Sequence, residues 1–155
     1  MVLNLDIDQV RGLIGQWRDQ ALEAGLLARK LALAMAEAHL ASGHDVIIPQ
    51  YLGRPQFIEE LEQLAATLAV PFHEIVLLDS KRHSLRRFYR RAEASDDPVH
   101  VEAQQMVDLA GGPPELEAMY ERLVDLLDAR PRARILRTQS GEVDRAYHDF
   151  VSQLT

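Results

Sequence analysis

The sequence predicts an α/β fold, three-layered, with helices on both faces of a mostly parallel sheet of about four strands. Two observations carry that expectation. Short apolar runs, rich in β-branched residues, recur at VLNLDI (2–7), HDVIIPQ (44–50), FHEIVLLD (72–79) and ARILRT (133–138). Stretches with helical apolar spacing, ten or more residues long, separate them, and strands joined that way pair in parallel through right-handed crossovers. The chain has 155 residues, 47% of them hydrophobic and 26% charged, the make-up of one ordinary globular domain able to bury a sizeable core. Residues 1–155 are therefore read as a single domain.

The elements follow in order. VLNLDI is a short strand. From Asp8 a helix is expected through Val10, Leu13, Ile14 and Trp17. Leu27, Leu31, Met35 and Ala38 keep helical spacing until Gly43, a natural C-terminal stop. HDVIIPQ, halted by Pro49, has the signature of a buried strand. Phe57, Leu61, Leu64 and Leu68 share one face of the next helix, and FHEIVLLD is a second buried strand ending on Asp79. A basic helical stretch, SKRHSLRRFYRRA, leads to a loop at ASDDP (94–98). Residues 99–110 are expected to be helical, and GGPP (111–114) breaks the chain. Leu116, Met119, Leu123 and Leu126 mark another helix, ARILRT is the last strand, and Val143, Tyr147, Phe150 and Leu154 line the closing helix. There is no internal repeat and no low-complexity tract.

Composition excludes several functions. Cysteine is absent, which removes disulfides, thiolate catalysis and cysteine-type zinc sites. A formal net charge of −7 opposes general affinity for nucleic acid or anionic lipid. No window approaches the roughly 18 uncharged apolar residues of a membrane span. MVLNLDID also lacks the basic and apolar regions of a signal peptide, so the chain reads as cytoplasmic. The six histidines (39, 44, 73, 83, 100 and 148) show no paired metal spacing, and Ser80, Ser84 and Ser140 lack a nucleophile-elbow context.

In parallel sheets, ligands sit beyond the carboxyl ends of the strands. The polar residues at those positions are Asp6 and Asp8, Gln50 with Arg54, Asp79 with Ser80, and Thr138 to Gly141. Each has a plain structural alternative. Asp8 can be the N-cap of a helix from Gln9, Arg11 a solvated helix residue, and Pro49-Gln50 a simple turn. Residues 81–91 carry six Lys or Arg in eleven positions. Arg87 and Arg91, like Arg86 and Arg90, are four apart and share a helix face. That face suits a phosphate clamp, a solvated surface or nucleic-acid phosphates, with no aromatic platform to favour the last.

Taken in order, LDIDQVRGLIG, HDVIIPQYLGR, IVLLDS with LRRFYRR, and ARILRTQSGEVDRAY resemble small P-loop kinases of the adenylylsulfate kinase, gluconate kinase, chloramphenicol phosphotransferase and zeta-toxin groups. The resemblance covers most of the chain. It implies ATP and Mg²⁺ as cofactors, γ-phosphate transfer to a small hydroxylated acceptor, and Asp8, secondarily Asp6, as the catalytic carboxylate, either general base toward the acceptor hydroxyl or indirect Mg²⁺ partner. It further implies Arg11, Gln50 and Arg54 on the acceptor, Arg87 and Arg91 as a phosphate-binding lid within about 80–98, and Thr138 and Gly141 on the adenine side. The phosphate loop G-x-x-x-x-G-K-[ST] is absent, since Lys30 and Lys81 are the only lysines and neither follows a glycine. The chain is thus expected to begin at the family's second strand and to be inactive alone. Non-catalytic binding or scaffolding, and association with nucleic acid through 81–91, are the alternatives. Loss of a central first strand leaves HDVIIP and EIVLLD either paired directly, in the order LNLDI, HDVIIP, EIVLLD, ARILRT, or each with an open edge that invites self-association.

Overall fold

The computed structural model describes residues 1–94, 98–139 and 141–154. They form α/β structure: seven helices and four short strands, in two small parallel sheets. The chain divides into two compact units, Met1–Phe72 and His73–Thr155.

In the first unit, β1 (Val2–Asn4) pairs in parallel with β2 (Asp45–Ile47), Leu3 opposite Val46. One further bond, from the Leu5 amide to the Ile47 carbonyl at 2.8 Å, extends the ladder. Between the strands run α1 (Ile7–Gly12) and α2 (Ala21–Ala41), and α3 (Pro55–Thr67) follows β2. The helix expected through Trp17 stops early. Residues 13–20 turn instead, with Gln16 at a φ of 58°, and Trp17 is buried from that turn. The stripe that buries α2 is also not the expected one. Ala24, Ala28, Ala32 and Ala36 face inward, Ala28 with no exposure at all, while Leu27, Leu31 and Met35 lie on the exposed side. Helices α1 and α3 and strand β2 all pack on α2. A row of methyl groups at i, i+4 spacing lets those neighbours approach closely, whereas larger side chains would hold them off. Leu5, Ile7, Val10, Phe57 and Leu61 complete this core, and α3 buries Phe57 and Leu61 as its sequence pattern requires.

In the second unit, β3 (Ile75–Leu78) pairs in parallel with β4 (Arg134–Arg137), Leu78 opposite Arg137. The crossover comprises α4 (Lys81–Ala94), α5 (Pro98–Leu109) and α6 (Pro113–Asp128), and α7 (Val143–Ser152) closes the chain. GGPP breaks the chain as read: Gly112 is the N-cap of α6 at a φ of 68°, a region costly for any residue with a Cβ, and Pro113 opens the helix. Where β3 begins, Arg130 Nε meets Glu74 Oε2 at 2.7 Å, with both side chains largely buried.

Two expectations about the strands need correcting. The four strands do not join into one sheet, because β2 and β3 share no ladder. Each parallel pair closes through its own helical crossover, and strands of three or four residues form only short ladders. The strands are also less buried than their apolar runs imply. Leu78 is the buried residue of β3, while Leu77 is 57% exposed. A two-stranded sheet consists of edges alone, so its outward side chains have few neighbours to cover them. Val143 and Tyr147, part of the apolar spacing that marks α7, likewise stand largely in solvent.

Candidate functional site

The acidic and polar candidates of the first unit resolve into local structure. Asp6, not Asp8, is the N-cap of α1: its Oδ1 accepts the Asp8 amide at 2.8 Å. Asp8 Oδ1 in turn meets Arg11 Nη2 at 3.1 Å within the first turn. The Arg11 guanidinium also lies over the Trp17 ring, 4.5 Å from its centroid. The segment acid-x-acid-x-x-arginine is thus a helix start stabilised by a cap, an ion pair and a cation–π contact. β1 and β2 end on the same edge, so Asp6 and Gln50 both follow a strand there. Arg54 occupies the N-cap position of α3 without capping it through its side chain, and Pro55 takes the first turn.

The second unit gathers Asp79, Arg87 and Arg91 into a groove. β3 delivers Asp79 at its carboxyl end, and α4 starts two residues later. Leu85, Phe88, Tyr89 and Ala92 lie on the half-buried side of α4, which packs on α5 and α6, and the arginines lie on the other. A groove of about 380 Å³ is lined by Asp79, His83, Arg86, Arg87, Arg90 and Arg91, closing on Ala94.

Asp79 anchors its inner end. The side chain is 4% exposed, and a carboxylate so buried requires compensation. Its Oδ1 accepts the Ser80 amide at 2.7 Å and faces His83 Nδ1 at 3.4 Å, while Oδ2 faces Arg87 Nη1 at 3.4 Å. The Tyr120 hydroxyl of α6 donates to the Asp79 carbonyl at 2.9 Å and fixes the backbone there. Beside the groove, Lys81 bridges Glu117 and Glu121 of α6 at 2.9 and 2.8 Å, and these hydrogen bonds raise its pKa above the usual lysine value.

Among the described residues, four guanidinium groups therefore line the groove against one carboxylate. Among the described residues, Arg86, Arg90 and Arg91 meet no acidic side chain within ion-pair distance. Thr138 and Gly141 lie elsewhere. The Thr138 amide extends the sheet by donating to the Leu78 carbonyl at 3.0 Å, Gly141 serves a turn at a φ of 91°, and Ser140 is outside the described residues. His83 is the lining residue that sequence reasoning missed. It sits four residues from both Asp79 and Arg87, a spacing that becomes informative once the helix is known to begin at Lys81.

No family model matches the chain, and no solved structure matches it. The uronate isomerases of Brucella canis, Brucella suis and Brucella melitensis are each 32% identical to it over 108 residues, 64% of this chain. The chain spans 22% of the length of these curated relatives. They are isomerases, and this likeness overturns the resemblance to P-loop kinases. The implied ATP, Mg²⁺ and adenine-side roles lose their basis with it. The physical reason is visible at LDIDQVR, whose spacing is the ordinary chemistry of a helix N-terminus and needs no phosphoryl transfer to explain it. Among the described residues no helix is long and apolar enough to cross a membrane, and no group of three His, Asp or Glu is placed to hold a metal ion.

Proposed function

We propose that the His73–Thr155 unit is a non-catalytic binding module that takes a compact oxyanion, carboxylate or phosphate-like, in the groove along α4. The arginine excess in that groove is the observation that supports it. Guanidinium forks bind carboxylate and phosphate oxygens in pairs, and such charge-assisted bonds are the strong ones. Exposed arginines with no acidic partner among the described residues cost the fold little and leave their donors available to a ligand. The matched isomerases act, by their name, on uronates, which are sugars bearing a carboxylate. A hexuronate is therefore the first ligand to test, with sulfate and inorganic phosphate beside it. The net charge of −7 favours a small anion over nucleic acid, whose phosphates would meet an acidic surface outside the groove.

Titration calorimetry of the full chain with a hexuronate, sulfate and phosphate tests this reading. Saturable binding is expected for at least one, weakened about tenfold in Arg86→Ala and Arg90→Ala, a loss near 1.4 kcal/mol for each charge-assisted contact. Affinity that is absent for all three, or untouched in both variants, refutes the groove as a binding site. Tight binding of single-stranded RNA instead of the small anions would replace it with the nucleic-acid reading.

A further inference from the structure

We infer that Asp79 acts as an internal anion holding Arg87 until ligand arrives, and that anion binding in the groove is coupled to protonation of His83. The inference rests on the proposed anion site and concerns its regulation. Asp79 is buried, and its two oxygens face different nitrogen partners, His83 Nδ1 on one and Arg87 Nη1 on the other, each at 3.4 Å. That distance lies at the long end of a hydrogen bond, so neither contact is tightly made. An anion that engages Arg87 draws the guanidinium away from Asp79 and leaves a buried carboxylate whose one close donor among the described residues is the Ser80 amide. Such a loss is costly unless another positive charge replaces it. His83 is already in position to do so.

A proton taken from solvent onto the imidazole turns the His83 contact into an ion pair and leaves Arg87 free for the ligand. The incoming anion, close to the same ring, favours the charged imidazole as well. By linkage, whatever raises proton affinity on ligand binding makes the ligand bind more tightly as pH falls. The guanidinium groups of Arg86 and Arg87 disfavour a further positive charge on His83 until the anion neutralises them. Arg86 and Arg87 of its own helix share the groove, and the Ser80 hydroxyl faces the His83 amide. From α6, Tyr120 binds the Asp79 carbonyl, while Glu117 and Glu121 are taken up by Lys81. From α5, the influence of Asp108 falls on Tyr89.

The test is calorimetric titration of the full chain at pH 8.0 and 5.5, the interval in which a histidine changes charge. The probes are a hexuronate and sulfate, both of constant charge there. Wild type should bind at least fivefold more tightly at the lower pH, with net proton uptake revealed by two buffers of different ionisation enthalpy. His83→Gln should reduce the pH effect to less than twofold. Asp79→Asn keeps an acceptor for the Ser80 amide while releasing Arg87, and should bind several-fold more tightly than wild type at pH 8.0. Circular dichroism checks that it folds. Equal wild-type affinity at both pH values, or a full pH effect retained in His83→Gln, overturns the coupling and leaves the anion site standing. Absence of saturable binding at either pH removes the site and the coupling together.

Discussion

At the scale of single residues, Asp6 and Tyr89 make opposite predictions. Asp6 supplies the one side-chain cap of α1, and its replacement by alanine should cost about 1 kcal/mol, read from the urea midpoint. Asp8→Ala should cost less, since it removes an ion pair with partly exposed partners. Tyr89 carries a buried hydroxyl with no hydrogen-bond partner among the described residues. Tyr89→Phe deletes that orphan and should leave stability at pH 7 unchanged or raise it by up to roughly 1 kcal/mol. Its pKa is raised by burial and by the nearby Asp108, so the folded chain resists ionising this phenol. The unfolded chain loses that proton first, which means stability falls as pH rises above about 10. Thermal melts between pH 9 and 11 should show a shallower decline in Tyr89→Phe than in wild type; equal slopes would refute this. None of this was legible in the sequence. Asp6 and Asp8 differ by one step along the chain, and which of them caps depends on where the helix begins.

At the scale of elements, what the sequence showed well was every stretch whose large apolar residues also decide the packing. Helix α3 buries Phe57 and Leu61, and α6 buries Leu116 and Leu126, as their spacing required. Helix α2 defeats that reasoning because its alanines outrank its leucines. Spacing fixes which residues share a face but not which face turns inward when both are apolar. Ala28→Leu and Ala32→Leu should each destabilise the chain by about 1–3 kcal/mol through overpacking, whereas Leu31→Ala, on the open side, should cost well under 1 kcal/mol. Chemical denaturation of the three variants decides it, and a reversed order would mean that the buried face has been misassigned. The groove was half legible. The arginine pairs stand out at i, i+4, but their partner Asp79 lies across a strand–helix junction that only the fold brings to them.

At the scale of the whole molecule, both sheets are two-stranded, and among the described residues the outer edge of each strand has no ladder partner. Unpaired edges with apolar neighbours such as Leu77 and Ile135 recruit other strands. Concentration-dependent association is the expected result of sedimentation velocity, and a strict monomer at high concentration would show that the edges are protected. The clamp on Lys81 has a chemical consequence of another kind. An amine acylates only as the free base, and two carboxylates hold this one as ammonium. Lys30, the one other lysine, is exposed on α2. Under limiting acetic anhydride, mass spectrometry should find Lys30 labelled well before Lys81, and Glu117→Gln with Glu121→Gln should bring the two rates together. The order in which two amines are acylated thus becomes a readout of whether α4 is seated against α6.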